Sequence, residues 1–321
     1  MSKEYRIPET IKIVKENILK YMHPLGLSNR DCGSWCEREV RETILYTGCL
    51  YTTMEIVYSR GGLLELVTSR PDKKVVPSLA RSFMHLRPLY RRFLMKKSGK
   101  IYDIPSKALY ILDKMGLEVG CLSNEPYVGV LLYELGFHEE FIGYIRRVYN
   151  VFMESGVKKI ITIDPHTFEF LKYIYPKYIE DYNLEIVNII DLIVEGLRDG
   201  RLKPSENIER LKYVYHDPCH YSKSRYRKII DEPREILSIL GVDTLESRKS
   251  RENSMCCGGP IETYFSMLAR KVAEYRYQDL ISTGADKIVV SCPICYSSLL
   301  SISESETDVV DIIDIVYGGI K

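Results

Sequence analysis

A seventeen-residue pattern recurs at an offset of 128, and a duplicated architecture is its simplest reading. GVKKIITIDPHTFEFLK (156–172) aligns without gaps on GADKIVVSCPICYSSLL (284–300), repeating Gly, Lys, Ile, Pro and Leu in the order glycine turn, strand, proline turn, helix. A second pair, ETILYTGCLY (42–51) and KYVYHDPCHY (212–221), aligns at an offset of 170 and puts Cys49 on Cys219. The first half therefore carries an insertion of 42 residues, the difference between the two offsets. Two related lobes are expected, 40–195 and 210–321, preceded by a helical segment 1–39. The polar stretch GLRDGRLKPSEN (196–207) marks the boundary.

Within each lobe, short β-rich runs end in turn signals and give way to helical patterns. The runs are TILY (43–46), KIITI (159–163), KYVY (212–215) and KIVV (287–290). That alternation predicts an α/β fold in which each lobe has a small parallel sheet flanked by helices. After Pro260, residues Ile261, Phe265, Leu268, Val272 and Tyr275 step 4-3-4-3, with Glu262, Lys271, Glu274 and Gln278 between them. This spacing predicts an amphipathic helix with the apolar stripe as its buried face.

Charge narrows the function. Forty-five Lys and Arg against 44 Asp and Glu leave a net charge of +1, which provides no global field for nucleic acid or an anionic membrane. No apolar run approaches the ~20 residues a transmembrane helix needs. The first twenty residues carry charges throughout and lack a signal-peptide core. The expected location is the cytoplasm, peripheral to a membrane only through partners. Nine cysteines in a reducing compartment, an odd number, argue for metal, cluster or thiol chemistry over structural disulfides.

Five of those cysteines lie in the second lobe: Cys219, Cys256, Cys257, Cys292 and Cys295. Cys219 and Cys292 fall where a predicted parallel strand ends, the edge at which α/β ligands bind. The CCGGP run precedes a predicted helix, whose N-terminal amides favour thiolates, and its glycines let backbone approach sulfur. Three loops thus bring five thiols together. A structural zinc would use four of them, and a redox dithiol at CPIC leaves the CC pair unexplained. Iron–sulfur ligation uses about four thiolates.

The spacing Cys-x36-CCG-x33-CPIC resembles the cysteine-rich "CCG" domain. That domain occurs in the B component of heterodisulfide reductase and in the iron–sulfur subunits of glycolate oxidase, lactate oxidation complexes and anaerobic glycerol-3-phosphate dehydrogenase. The resemblance implies one [4Fe-4S] cluster on the five second-lobe cysteines, cubane or non-cubane. In the heterodisulfide reductase branch a non-cubane cluster works directly on disulfide or thiol substrates. The resemblance also implies an oxidoreductase subunit that is inactive without its redox partners.

The first lobe departs from this pattern. Asp164 and Thr167 align with Cys292 and Cys295, and CLSNEP (121–126) stands where the second lobe has CCGGP. Cys49, Cys121, Asp164 and His166 could form a degenerate mixed-ligand metal site. A scaffold lobe with its ligands replaced is the favoured expectation. Cys32 and Cys36 read as structural, since the ferredoxin run C-x2-C-x2-C-x3-C-P is absent. The Gly-x-Gly-x-x-Gly fingerprint is missing too, so flavin or nicotinamide is assigned to a partner. His216 and His220, flanking Cys219, are expected to orient or hydrogen-bond the ligands. The basic segment 81–100, with seven Lys and Arg and no acid, is either a solvated face or a docking surface for an acidic partner.

The expected function is an iron–sulfur subunit of a redox complex, heterodisulfide-reductase-B-like, with a flavoprotein or ferredoxin-type companion. A zinc-stabilised assembly subunit without redox chemistry is the rival.

Overall fold

β1 (Thr43–Tyr46), β2 (Lys159–Thr162) and β3 (Glu185–Asn188) hydrogen-bond in that order as one sheet. β4 (Lys212–Tyr215), β5 (Asp243–Leu245), β6 (Lys287–Val290) and β7 (Val309–Asp311) form a second sheet in the order β5-β4-β6-β7. These elements come from a computed structural model that describes residues 8–58, 100–205, 211–261, 265–303, 305 and 308–321. Every strand pair is parallel, with Thr43 opposite Lys159 and Tyr213 opposite Lys287. Parallel sheets are covered on both faces, which is why the last three residues of β1, β2, β4 and β6 are buried without alternation. The fold is α/β with two small parallel sheets.

Helices cover both sheets. In chain order they are α1 (Glu9–Tyr21), α2 (Asn29–Cys32), α3 (Leu50–Tyr58), α4 (Lys100–Lys114), α5 (Val130–Glu134), α6 (His138–Glu154) and α7 (Pro165–Glu169). Then follow α8 (Ile189–Arg198), α9 (Cys219–Ser222), α10 (Asp231–Ile239), α11 (Ser266–Ile281), α12 (Pro293–Leu300) and α13 (Ile312–Gly319). The two sheets share one hydrophobic core. α3 packs on α12, α4 on α13 and α8 on α10, so each contact joins an element of one sheet's set to one of the other. Lys107 on α4 pairs with Asp314 on α13 at 2.5 Å, and Asn188 Nδ2 donates to the Tyr221 hydroxyl at 2.6 Å. No described helix is long and apolar enough to cross a membrane.

Three sequence expectations change here. First, α11 begins at Ser266, after a 3-10 turn at Gly259–Ile261, so the CCGGP run does not lead straight into a helix. Second, α11 is turned the other way. Phe265, Met267, Leu268 and Tyr275 are 63%, 85%, 54% and 70% exposed, while Ala269, Ala273, Arg276 and Leu280 face the core. The reason is close packing. A Cβ built on Gly258 would stand 2.4 Å from the Ala269 carbonyl oxygen, so the Gly258 loop lies directly against the α11 backbone on this face.

Third, four of the nine cysteines are paired, Cys32 with Cys49 and Cys36 with Cys121. Both bridges tie the segment around α2 to the first sheet, which corrects the expectation that disulfides would be avoided. The basic segment falls almost wholly outside the described residues, Lys100 alone being placed, at the start of α4.

Candidate metal centre

Parallel strands deliver their carboxyl ends to one edge, and in this chain the two edges meet. β4 ends at Tyr215 and runs through His216-Asp217-Pro218 into Cys219, the first residue of α9. β6 ends at Val290 and runs through Ser291 into Cys292, the residue preceding α12. Pro293 at the first position of α12 needs no amide partner, and the helix's free amides and positive end lie beside Cys292 and Cys295. The loop carrying Cys256 and Cys257 is pinned from both sides. Ser254 Oγ donates to the Asp217 carbonyl at 2.9 Å, and Ser298 Oγ donates to the Cys257 carbonyl at 2.5 Å.

The five thiols form a continuous set: Cys219 contacts Cys256, which contacts Cys257, then Cys295, then Cys292. Cys257, Cys292 and Cys295 are buried, and Cys219 and Cys256 are half-buried. Gly258 adopts φ +87°, a conformation that penalises any side chain, and its amide donates to Cys256 Sγ at 3.3 Å. Hydrogen bonds from Cys219 and Cys257 hold the Cys256 thiol well below its ordinary range. In return, Cys219 and Cys257 are held up, first by their bond to Cys256 and then by burial. Cys295 is held up by its neighbours Cys257 and Cys292 and by burial. Among protein groups alone, sulfurs packed this closely do not all ionise; a multivalent cationic centre would let them. The donor set therefore fits an iron–sulfur cluster.

Histidines flank the sulfurs on two sides. A ring nitrogen of His216 lies within 4.8 Å of Cys257 and Cys295 Sγ. Its Nδ1 accepts from Arg276 Nε at 2.9 Å. Burial and the Arg276 charge keep His216 neutral, well below the usual imidazole range. His166, the second residue of α7 after β2, places Nδ1 3.7 Å from Cys292 Sγ and is kept neutral by burial. His220 sits against His166 with ring centroids 4.0 Å apart. Its two nitrogens meet Glu169 at 2.6 Å and Glu134 at 3.4 Å. Burial opposes its charge, yet these carboxylates outweigh it and hold the His220 pKa up to about 10.

The four residues of the alternative first-lobe site, Cys49, Cys121, Asp164 and His166, are not brought together as one donor set. Cys49 and Cys121 belong to different disulfides. Asp164 caps α7 by accepting from the Thr167 amide at 2.9 Å, so the pair aligned with Cys292 and Cys295 caps a helix in place of holding a metal. Burial pushes the Asp164 pKa up to about 6. His166 has gone to the second-lobe sulfurs. In the CLSNEP loop, Glu125 Oε1 accepts from the amides of Cys49 at 2.9 Å and Thr47 at 3.1 Å and from the Thr47 hydroxyl, which fills the end of β1 with a carboxylate.

Sequence reasoning missed Arg276, Glu134, Glu169 and Glu125. It also missed the pair beside Cys219, in which buried Asp217 accepts twice from Arg234 at 2.7 and 2.9 Å. The one signal that pointed to Arg276 was the 4-3-4 spacing of Ala269, Ala273, Arg276 and Leu280, masked by the larger residues of the opposite stripe.

Residues 213–300 match the family described as CCG, cysteine-rich domain. The EtfAB:quinone oxidoreductase of Syntrophomonas wolfei is 25% identical over 294 residues, covering 84% of this chain and 40% of that protein. The probable iron-sulfur-binding oxidoreductase FadF of Bacillus subtilis is 29% identical over 226 residues, covering 64% of this chain and 31% of that protein. The dihydromethanophenazine:CoB--CoM heterodisulfide reductase of Methanosarcina mazei has one polypeptide that is 29% identical over 217 residues, covering 64% of this chain and 52% of that one. The chain thus spans about half or less of the length of these relatives.

Proposed function

We propose that this chain, which carries a cysteine-rich CCG domain in residues 213–300, is the iron–sulfur subunit of a redox complex. Cys219, Cys256, Cys257, Cys292 and Cys295 would hold one [4Fe-4S] cluster, which supplies one-electron transfer when bound. The observation that carries this reading is the convergence of five cysteines from three loops at the edge where the two sheets meet. The relatives named above are oxidoreductases or subunits of one, which favours electron transfer over a zinc-stabilised assembly role.

The chain's own residues prepare the site. Gly258 lets the loop close on Cys256, the α12 N-terminus supports Cys292 and Cys295, and Asp217 fixes the β4–α9 loop through Arg234 and the Arg251 amide, the latter at 2.8 Å. Electrons would pass between a flavoprotein or ferredoxin-type companion and an acceptor. Anaerobic purification with iron, sulfide and zinc quantified together tests the reading. Roughly four irons and four sulfides per chain, with visible absorption bleached by dithionite, support it. One zinc without acid-labile sulfide rejects it.

A further inference from the structure

Arg276 is a charged residue with no exposed surface, sitting on α11 among alanines and a leucine. Its Nη1 donates to Asp279 Oδ2 at 2.7 Å, the Lys249 carbonyl at 2.7 Å and Ser247 Oγ at 3.2 Å, which fixes the guanidinium plane. Its Nε is aimed at His216 Nδ1, 2.9 Å away. Arginine has donors only and does not lose its proton in proteins, so Nδ1 must be the acceptor. The single proton of the neutral ring then resides on Nε2. Nε2 is buried with no protein hydrogen-bond partner among the described residues. A ring nitrogen of His216 lies within 4.8 Å of Cys257 and Cys295 Sγ, and Nε2 is the one that Arg276 leaves uncommitted.

We propose that His216 donates an Nε2–H hydrogen bond to the sulfur of the bound cluster and raises its reduction potential, with Arg276 as the positioning residue that dictates the tautomer. This rests on the cluster assignment made above. Reduction adds one negative charge to the cluster, so a donor aimed at sulfur stabilises the reduced form more than the oxidised one. One electron enters, no bond forms or breaks in the protein, and His216 keeps its proton throughout. The buried guanidinium strengthens the effect, because it polarises the imidazole toward sulfur in a site that excludes water.

The test is an anaerobic dithionite titration of the cluster-loaded full chain, followed by optical and electron paramagnetic resonance spectra. His216→Phe should retain iron and shift the midpoint downward, about tenfold fewer reduced clusters at fixed poise, equal to ~59 mV for one electron. His216→Gln, which keeps an amide donor, should recover much of the shift. Arg276→Met should move the midpoint in the same direction, and adding it to His216→Phe should produce no further change, since Arg276 acts through the ring. Wild type reduced in H2O and in D2O should differ by an exchangeable-proton hyperfine coupling that His216→Phe lacks. If His216→Phe loads iron normally with an unchanged midpoint and the same coupling, the proposal is overturned and the ring is a packing group. If wild type takes up no iron and sulfide, the cluster assignment itself has failed.

Discussion

His166 Nδ1 lies 3.7 Å from Cys292 Sγ, although 126 residues separate the two in the chain. One comes from the end of β2 and the other from the end of β6, so the first sheet closes the second sheet's sulfur site. Groups that touch a metal ligand without binding the metal commonly change retention by 10–100-fold. His166→Ala should therefore load iron and then lose it roughly 10-fold faster in air, read as bleaching of the visible absorption. Unchanged bleaching would mean that His166 does not seal the site.

The five second-lobe cysteines should divide sharply from the other four. Cys256→Ser and Cys292→Ser should remove most of the iron, because a serine hydroxyl replaces a thiolate poorly at a cluster. Cys121→Ser should leave the iron content nearly intact, since its partner is Cys36. A comparable loss of iron in Cys121→Ser would place a metal in the first lobe.

The disulfides should show themselves in stability instead. Cys36 and Cys121 are separated by 85 residues, and closing a loop of that length is worth roughly 4.5 kcal/mol in the chain-entropy model. Cys32 and Cys49, separated by 17, are worth about 3 kcal/mol on the same basis. A double Cys36→Ser, Cys121→Ser chain should unfold at lower urea than wild type, and thiol reductant should lower wild type further still, since it opens Cys32–Cys49 as well. Equal midpoints with and without reductant would count against both bridges.

Glu125 makes stability depend on pH. Burial pushes its pKa from 4.5 up to about 8, against hydrogen bonds from Thr47 and Cys49. A raised folded-state pKa contributes stability that is fully present below about pH 4.5 and is lost as pH rises through about 8. Glu125→Gln keeps the Oε1 acceptor and carries no charge. Its melting temperature should fall less than wild type's between those limits. Parallel curves would show that Glu125 titrates normally.

Short buried strands and cysteine spacing were legible because each leaves a local mark: continuous apolar runs such as KIVV, and thiols at strand ends. The strands β3, β5 and β7 left none: β3 and β5 open on an acid, and β5 and β7 have only three residues. The orientation of α11 was hidden for a different reason. Hydrophobic size favours Phe265, Leu268 and Tyr275 as the inner face, but the Gly258 loop packs against the backbone at Ala269, on the opposite face. The meeting of His166 with Cys292, and of Arg276 with His216, depends on how whole sheets face one another. No window along the chain contains that information.

The pairing of Cys32 with Cys49 and Cys36 with Cys121 carries one more implication, a ceiling on capacity. While those bonds last, the sulfurs open to coordination are the five between Cys219 and Cys295, about enough for a single cluster. Titrating the oxidised chain with iron and sulfide should therefore saturate in one step. A second step of uptake, if it came at all, would have to wait until a reductant had delivered two electrons and two protons to each bridge, so the order of the two events would tell which sulfurs were filling.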